Sequence, residues 1–351
     1  MLELHPGMID WFRGELDFAH YPLPAGHVLS IEPDGSIAWD CVKSLQVRSS
    51  HETSIKIKSS GSLGNGIASS LMIDGNLSKF IQGHNVFGSR DLNTLLLLSF
   101  RKIVEIHNEH LNGWSAPELA EARIKRGQYK VKMIDINQLY EVGNDQSVEA
   151  WLHAAHMRAV SRHGKATRDK GTVYLGKESR RWAFKFYNKW REMCAKGASH
   201  QLPDYLQNIG LEEFVEGKLR AELRLFSKEL QKHGITHGHH LTPAKIDELF
   251  NTYLGKIDMT TQATLIDEQL LAMPRAVQGT YMHWRQGADL RGLLPKVTFY
   301  RHRKILLEYG IDINATHLAP EHNNVVPMIR IIEAVPVANP AWAYERGLIA
   351  A

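Results

Sequence analysis

The 351-residue chain is poor in cysteine. Cys41 and Cys194 are its only two, and they lie far apart in the sequence. Two such residues provide neither a disulfide framework nor a CxxC metal motif, and sparse cysteine is typical of proteins from a reducing compartment. The composition therefore predicts an intracellular protein that is stabilised by its core rather than by cross-links.

Long apolar runs are also missing. The most apolar helical run, residues 95–100, is far shorter than the roughly 20 residues that cross a bilayer. Acidic residues interrupt the first apolar stretch of the chain, so it does not have the pattern of a signal peptide. We therefore expect a soluble protein in the cytoplasm, without a membrane partner.

Positive charge is concentrated in one block. The whole chain has a formal charge of only +4, yet residues 158–191 contain eleven lysines and arginines against two acids, Asp169 and Glu178. Aromatic residues are interleaved with these cations. Such a block is the electrostatic pattern of a nucleic-acid-binding surface. A solvated charged loop would have the same composition, and the sequence leaves both interpretations open.

The most informative segment lies inside this block, at residues 174–191. If its second half is a strand, alternate side chains point to opposite faces. One face would contain Trp182, Phe184 and Phe186. The other face would contain Lys185, Tyr187 and Lys189. The pattern predicts an aromatic face that packs in a core and a basic face that bears a phenol.

A phenol between ammonium groups is suited to attack or hold a phosphate. Its pKa is about 10, so nearby cations are needed if it is to lose its proton as a phosphodiester gains charge. Tyr187 is the candidate for this role, with Lys185 and Lys189 as the neighbouring cations. The alternative is a basic edge strand whose tyrosine only packs.

The remaining patterns predict strands in the first part of the chain and helices in the last. Strands are predicted at residues 26–31, 36–40, 54–58, 69–74, 130–137, 172–175, 219–225 and 325–335. Helices are predicted at residues 91–106, 118–126 and 147–161, and mostly helix from Pro243, with Thr242 as its N-cap, to about residue 309. The histidine- and glycine-rich residues 233–240 are predicted to form a mobile linker.

Several polar side chains are candidates for a metal site near Tyr187. Asp135 lies on an apolar strand, Glu222 lies between two arginines, and Glu192 follows the tyrosine by five residues. His84 lies in a turn bracketed by two glycines. Carboxylates with a histidine are ligands for hard cations such as Mg²⁺ or Mn²⁺. Ordinary structural ion pairing of each carboxylate is the alternative.

Six segments together, in this order, resemble the replication initiator proteins of filamentous bacteriophages, the gene II product family. They are IQGHNVFG (81–88), MIDIN (133–137), TVYLGKESRRWAFKFYNKWRE (172–192), LRAELRL (219–225), LPKVTFYRH (294–302) and NNVVPMIR (323–330). The resemblance covers most of the chain, and QGHNVFG and NNVVP are its most specific parts.

The resemblance implies a fold and an activity. The expected fold is α+β, a relaxase-like antiparallel sheet (a ferredoxin-like nuclease core) with helices and a helical C-terminal part. An N-terminal strand-rich region plus the nicking and joining nuclease core would occupy residues 1–235, and a mainly helical accessory or DNA-binding region would occupy residues 236–351. The expected activity is that of a rolling-circle replication initiator, a site-specific endonuclease that nicks one strand of the origin, forms a covalent 5′-phosphotyrosine and later closes the displaced strand into a circle.

The resemblance also implies roles for particular residues. The catalytic tyrosine corresponds to Tyr187, and Lys189 and Glu192 match the lysine and acid that follow it. Asp135 and Glu222 match two acids of the family. The histidine-hydrophobe-histidine metal motif of related initiators is absent here. Binding of Mg²⁺ or Mn²⁺ by Asp135, Glu222, Glu192 and His84 is therefore our own inference.

The expected partners are origin DNA, a host polymerase that extends the 3′-OH, and a host helicase, because the chain contains no GxxxxGK[ST] phosphate loop. The predicted DNA-binding residues are Arg158, Arg162, Lys165, Arg168, Lys170, Lys177, Arg180, Arg181, Arg191, Arg301 and Arg303. Two alternatives remain from the sequence: a DNA-binding replication regulator without catalytic activity, and a metal-dependent nuclease that uses water instead of tyrosine.

Overall fold

The computed structural model describes most of the chain. The described residues are 7–195, 202–257, 273–309, 311, 313–314 and 336–350. The predicted strand at 325–335 and the segment NNVVPMIR lie outside them, as does the side chain of Arg158. Within the described ranges, no helix has the length and apolar character needed to cross a membrane.

Strands dominate the first two thirds of the chain. They are β1 Gly7–His20, β2 His27–Ile31, β3 Ile37–Val42, β4 Leu45–Arg48, β5 Ser54–Ser60, β6 Ala68–Gly75, β7 Lys130–Glu141, β8 Val160–Ser161, β9 Gly164–Lys165, β10 Thr167–Asp169, β11 Thr172–Leu175, β12 Trp182–Asn188 and β13 Lys218–Phe226.

Helices connect the strands and form most of the remaining described residues. They are α1 Leu77–Gln82, α2 Leu92–Ile106, α3 Asn108–Leu111, α4 Pro117–Lys125, α5 Asp145–Arg158, α6 Lys189–Cys194, α7 Leu211–Val215, α8 Ser227–Lys232, α9 Pro243–Leu254, α10 Arg275–Arg285, α11 Leu290–Leu293, α12 Lys296–Glu308 and α13 Ala341–Glu345.

Nine strands form one sheet, in the order β10-β11-β12-β13-β7-β1-β6-β5-β4. Its described ladders are all antiparallel. Strands β2 and β3, both predicted, pair with each other as a separate two-stranded ribbon. A large antiparallel sheet combined with helices confirms the α+β class, and the described residues after 242 confirm the helical C-terminal part.

The aromatic face of β12 packs as the alternation predicts. Trp182, Phe184 and Phe186 are fully buried. Helices α5 and α9 cover them: the Trp151 ring lies 5.0 Å from that of Phe186, and the Phe250 ring lies 5.4 Å from that of Phe184. Because each large apolar side chain contributes about 1.5–3 kcal/mol when it leaves water, this face fixes which side of β12 points inward.

Two predicted helix starts are confirmed by their caps. The Asp91 carboxylate accepts a hydrogen bond from the Thr94 amide at 3.1 Å and opens α2. The Thr242 hydroxyl accepts one from the Lys245 amide at 3.2 Å, with Pro243 at the first helical position of α9. Each cap satisfies an amide that has no partner within the helix.

Three local expectations need correction. The sequence patterns do not predict strand β1, although it lies between β7 and β6 in the sheet. Lys189 is not part of the tyrosine strand, because Asn188 ends the strand and caps α6 by accepting from the Arg191 amide at 3.1 Å. The predicted linker is instead packed on the turn before β7, where the Gly238 amide donates to the Tyr129 carbonyl at 3.0 Å.

Helix α9 bears on the predicted domain division. Its residues Ile246, Leu249 and Phe250 belong to the same buried cluster as the aromatic face of β12. Helices α10 and α12 contribute to a separate cluster that includes Tyr281 and Phe299. The division between residues 235 and 236 stays a prediction, and this packing leads us to propose a boundary after residue 257.

Candidate active site

The face of β12 opposite to the aromatic core borders a cavity of about 890 Å³. Six of the seven predicted catalytic and metal-binding residues line it: Tyr187, Lys185, Lys189, Asp135, Glu222 and Glu192. They come from β7, β12, β13 and α6, so residues that are far apart in sequence meet on one face of the sheet. The cross-strand register explains this, because Lys185 pairs with Glu222 and Glu222 pairs with Asn137.

Tyr187 lies in the wall of this cavity and is 6% exposed. Its hydroxyl lies 3.4 Å from Oε2 of Glu222, longer than a normal hydroxyl–carboxylate hydrogen bond. The Lys185 ammonium lies 5.4 Å from the centre of the phenol ring. Burial raises the pKa of Tyr187 well above its usual value, and the Glu192 and Glu222 charges raise it further. The phenol is therefore protonated in this state.

Glu222 is fully buried and forms an ion pair with Lys185 at 2.6 Å. Burial raises the pKa of Glu222, and the negative charges of Asp135 and Asp10 add to that effect while Lys185 opposes it. Burial also disfavours the charged form of Lys185, but Glu222 and Asp135 outweigh it and raise the pKa of the ammonium. The cavity wall thus contains a carboxyl group that holds protons more tightly than usual, beside a stable cation.

Asp135 forms a cross-strand pair with Arg224. Nε and one terminal nitrogen of the Arg224 guanidinium donate to the two carboxylate oxygens of Asp135, at 2.7 and 2.5 Å. Asp135 is buried and Arg224 is partly exposed. The bidentate geometry satisfies both carboxylate oxygens, as a buried charge requires.

Lys189 is buried at the start of α6. Its ammonium donates to Oδ1 of Asn85 at 2.8 Å and to Glu192. Burial lowers the pKa of Lys189, while the Glu192 charge opposes that shift. Lys189 therefore links the tyrosine strand to the loop that contains Asn85.

Asp10 lines the same cavity and is not among the residues that the sequence predicts for the site. Strand β1 has one extra residue here, because Ile9 pairs with Ile136 while Trp11 pairs with Asp135. Such a bulge changes the direction in which a side chain points. The sequence contains one signal, since the triplet Met-Ile-Asp occurs both at residues 8–10 and at residues 133–135.

Asn85 connects several of these groups. Its amide nitrogen donates to Oδ1 of Asp10 at 2.9 Å, and its amide oxygen accepts from Lys189. The buried guanidinium of Arg220 donates to the carbonyls of Asn85 at 2.6 Å and Val86 at 3.0 Å. The loop therefore fixes Lys189, Asp10 and Arg220 relative to one another.

His84 lies behind this loop and does not line the cavity. The preceding Gly83 has φ 83°, a left-handed conformation that glycine adopts without strain. Nδ1 of His84 accepts from the Val86 amide at 3.3 Å. Burial lowers the pKa of His84 to about 4, against the opposing effect of the Leu348 backbone. His84 is therefore a neutral, buried support for the loop.

Residues 336–350 pack against the other side of the same loop. The Asn339 amide donates to the Gly88 carbonyl at 3.0 Å, and the Ala350 backbone amide donates to the side chain of Gln82 at 2.9 Å. Trp342 packs edge-on against Phe87. The end of the described chain thus supports the loop that contains Asn85.

The predicted metal ligands do not form a metal site as they are arranged. Each carboxylate is held by a basic side chain, in the pairs Asp135–Arg224, Glu222–Lys185 and Glu192–Lys189. His84 is buried behind the loop and does not reach the cavity wall. Across the described ranges, no three His, Cys, Asp or Glu side chains lie where they could hold a metal ion together. This donor set therefore does not fit a divalent cation.

The predicted DNA-binding residues whose side chains the structure describes lie outside the cavity. Four are in ion pairs: Arg168–Glu149, Lys177–Asp169, Arg181–Glu229 and Arg191–Asp145. Five others are at least partly exposed: Arg162, Lys165, Lys170, Arg180 and Arg301. Arg303 is half-buried on α12, and the side chain of Arg158 is outside the described part of the chain. The assignment of all of them to DNA stays a prediction.

Comparison with known proteins gives two similarities in sequence. Residues 8–244 match the model for the N-terminal part of the phage replication-associated protein known as the gene 2 protein, and residues 265–349 match the model for its C-terminal part. The replication-associated gene 2 protein of Enterobacteria phage I2-2 is 39% identical over 336 residues, which cover 95% of this chain and 96% of that protein.

Among solved structures, a rolling circle replication initiator protein from Geobacillus stearothermophilus is 12% identical and covers 75% of this chain and 90% of its own. Its TM-score of 0.32 is too low to support an argument about fold or function.

Proposed function

The chain belongs to the family of phage replication-associated gene 2 proteins, and from that premise we propose that it initiates rolling-circle replication by nicking one strand of its origin. The Tyr187 oxygen attacks a phosphodiester and forms a 5′-phosphotyrosine. The departing 3′ oxygen takes up a proton and becomes a free 3′-OH. In the reverse direction, a 3′-OH attacks the tyrosyl ester, restores the phosphodiester and returns the proton to Tyr187, which closes the displaced strand into a circle.

One observation carries this proposal: a buried phenol lines a cavity together with a buried carboxyl group and a half-buried ammonium group. Tyr187, Glu222 and Lys185 provide these groups. The alternative was a basic edge strand whose tyrosine only packs. Strand β12 lies between β11 and β13 in the sheet, so it is not an edge strand.

The proton of Tyr187 must leave as the new bond forms. Burial raises the pKa of the phenol well above 10, so a free phenolate is strongly disfavoured before attack. Oε2 of Glu222 lies 3.4 Å from the hydroxyl, and burial raises the pKa of that carboxyl. Since a general base works best when its pKa approaches the working pH, Glu222 is the proposed proton acceptor.

Cations in the wall would stabilise the charge that develops on the phosphate. Lys185 and Lys189 line the cavity, and the buried Arg220 is close enough to oppose the pKa rise of Tyr187. Positive groups fixed in place before the reaction stabilise a transition state more effectively than water does. We assign Lys185 and Lys189 to this role.

Mg²⁺ or Mn²⁺ remains the proposed cofactor on the basis of the family resemblance. The described carboxylates do not fit such an ion as arranged, so the mechanism above relies only on side chains of this chain. Nicking assays with and without EDTA, followed by titration of each metal, test the requirement directly.

Origin DNA would be held mainly through its phosphates by the basic residues of 158–191 and by Arg301 and Arg303. Each phosphate contact releases counterions, so binding should weaken steeply as salt rises. A host polymerase would extend the 3′-OH and a host helicase would separate the strands, in the cytoplasm of the bacterial host.

The test uses a supercoiled plasmid that contains the origin of the genome encoding this chain. With Mg²⁺, the protein should convert it to a nicked form with DNA covalently attached, and mass spectrometry should locate the nucleotide on Tyr187. Tyr187→Phe should abolish both nicking and attachment. Tyr21→Phe, a matched change at an exposed tyrosine outside the cavity, should leave them unchanged.

Each other result contradicts the proposal in a specific way. A plasmid that stays supercoiled indicates a DNA-binding regulator. Nicking that survives Tyr187→Phe indicates a nuclease that uses water.

The role of Glu222 has a separate test. Glu222→Gln removes the proton acceptor, and losing a general base typically slows a reaction by about 10²–10⁴-fold. The nicking rate of the native sequence should rise with pH until Glu222 is deprotonated, and the variant should lose this limb of the pH profile. An unchanged profile in the variant would assign the proton to another group.

A further inference from the structure

A second, smaller cavity of about 330 Å³ lies beside the active-site cavity on the same face of the sheet. We call it the flanking cavity. Lys185, Glu222 and Arg224 line both cavities, so the two cavities share part of their walls. Its other walls include Tyr174 and Phe226, and neither the catalytic proposal nor the predicted DNA-binding set uses them.

The register of the sheet places the flanking cavity next to the reacting phenol. Tyr174 on β11 is directly opposite Lys185 on β12, and Tyr187 follows Lys185 by two residues on the same face. Two residues along a strand span about 7 Å and neighbouring strands lie about 4.8 Å apart, so the Cα atoms of Tyr174 and Tyr187 are roughly 8 Å apart. One nucleotide of an extended single strand can bridge this separation.

The chemistry of the walls suits a nucleobase. Tyr174 and Phe226 are half-buried and line the flanking cavity. Aromatic side chains on a sheet are common stacking platforms for single-stranded bases. Glu178 lies in the same walls, and its carboxylate can accept hydrogen bonds from exocyclic amino groups of a base.

A phosphate next to that base would meet Lys177. Its ammonium lies 5.1 Å from the centre of the Tyr174 ring and 2.8 Å from the carboxylate of Asp169. Both members of this ion pair are well exposed, and exposed pairs contribute little to stability. A phosphate can therefore replace Asp169 as the partner of Lys177 without a large penalty.

We propose that the flanking cavity binds the base of a nucleotide adjacent to the scissile phosphate in single-stranded DNA, with Tyr174 as its stacking platform. This proposal rests on the proposed nicking function. It adds a subsite that would hold the DNA in register with Tyr187, so the strand would cross β11, β12 and β13 on the open face of the sheet.

The experiment measures binding rather than cleavage. Full-length protein with Tyr187→Phe is titrated, by fluorescence anisotropy, into a single-stranded oligonucleotide from the origin, and then into a series with one abasic position each. Adding Tyr174→Ala should weaken binding to the intact oligonucleotide about tenfold, within the usual contribution of one stacked base. Tyr174→Phe should bind like the parent, because it retains the ring.

The abasic series identifies the subsite. For the parent, one abasic position should weaken binding about as much as Tyr174→Ala does. Combining that position with Tyr174→Ala should give no further loss, since both changes remove the same contact. Tyr21→Ala, at an exposed tyrosine outside both cavities, controls for loss of an aromatic side chain and should leave affinity unchanged.

Several results would overturn the proposal. These are affinity within twofold of the parent for Tyr174→Ala, an equal loss for Tyr174→Phe, additive losses at every abasic position, or no binding of the oligonucleotide by the parent. Because every protein in the series lacks the Tyr187 hydroxyl, the outcome does not depend on whether that hydroxyl is the nucleophile. Failure of nicking in the plasmid assay would remove the proposed function and leave the binding result interpretable.

Discussion

The two faces of β12 are stabilised by different interactions. One face is aromatic, and its Trp182, Phe184 and Phe186 pack against α5 and α9. The other face is also largely buried, but it contains charges that are paired across neighbouring strands, such as Lys185 with Glu222. Apolar packing tolerates exchange of one hydrocarbon for another, whereas a buried ion pair depends on both partners. The core face therefore depends on side-chain volume, and the open face depends on matched charges.

The largest effect on the free energy of unfolding is expected on the core face. Phe184→Ala removes a fully buried ring that packs on Phe250, and such truncations cost about 3–5 kcal/mol. Urea unfolding should show this loss in the free energy of unfolding. Phe184→Leu, which keeps most of the volume, should lose much less. Equal losses for the two variants would mean that the ring does not fill a tightly packed space.

A pH-dependent effect of up to about 3 kcal/mol is expected behind the open face. The pKa of His84 is about 4 in the folded protein against 6.5 for an ordinary histidine, and each pKa unit corresponds to about 1.4 kcal/mol. Below pH 6.5 the unfolded chain takes up a proton that the folded protein does not, so stability falls as pH drops from 6.5 towards 4.

Replacing His84 with Gln should remove this part of the pH dependence. The measurement is the free energy of unfolding at pH 7 and at pH 4.5 for the native sequence and for His84→Gln. His283→Gln, at an exposed histidine of α10, is the control and should keep the contribution of His84. Parallel pH curves for all three proteins would contradict the assignment.

A smaller loss in the free energy of unfolding, about 1–3 kcal/mol, is expected when a buried charge on the open face loses its partner. Arg224→Ala leaves Asp135 buried without its bidentate cation. Adding Asp135→Asn to Arg224→Ala should recover part of the loss, because the buried charge is then gone. Thermal or urea unfolding of the single and double variants measures both values. A double variant less stable than Arg224→Ala would show that the ion pair is not the source of the loss.

The smallest effect is expected for an ion pair outside both faces. Lys245 and Glu248 form an i,i+3 pair at 2.7 Å on the surface of α9, and exposed pairs of this kind contribute about 0.5 kcal/mol or less. The urea midpoint of Glu248→Ala should therefore be almost the same as that of the native sequence. A loss as large as that of Arg224→Ala would show that exposure does not separate the two kinds of pair.

Local sequence patterns predict what depends on neighbours in the chain. Alternation indicates the two faces of β12, and Thr242 and Pro243 indicate the start of α9. Strand β1 also has alternating burial from Phe12 to Phe18, so its signal is present, although charged residues on its second face make it less apolar overall.

The local patterns miss features that depend on the pairing of strands far apart in the sequence. Glu222 pairs with Lys185 rather than with its sequence neighbours Arg220 and Arg224, because the register of β12 on β13 brings it there. Asp10 reaches the cavity only through a bulge between β1 and β7. Neither feature follows from spacing within one segment, since each depends on how two distant strands align.

The packing of residues 336–350 against the loop that contains Asn85 has a consequence for protein synthesis. Asn85 contacts Lys189 and Asp10, yet the segment that backs its loop is translated some 250 residues later. A ribosome that has already synthesised β12 has therefore made Tyr187, the proposed nucleophile, before the segment that supports this loop. The proposed nicking activity would therefore arise late in translation, once residues 336–350 have been made.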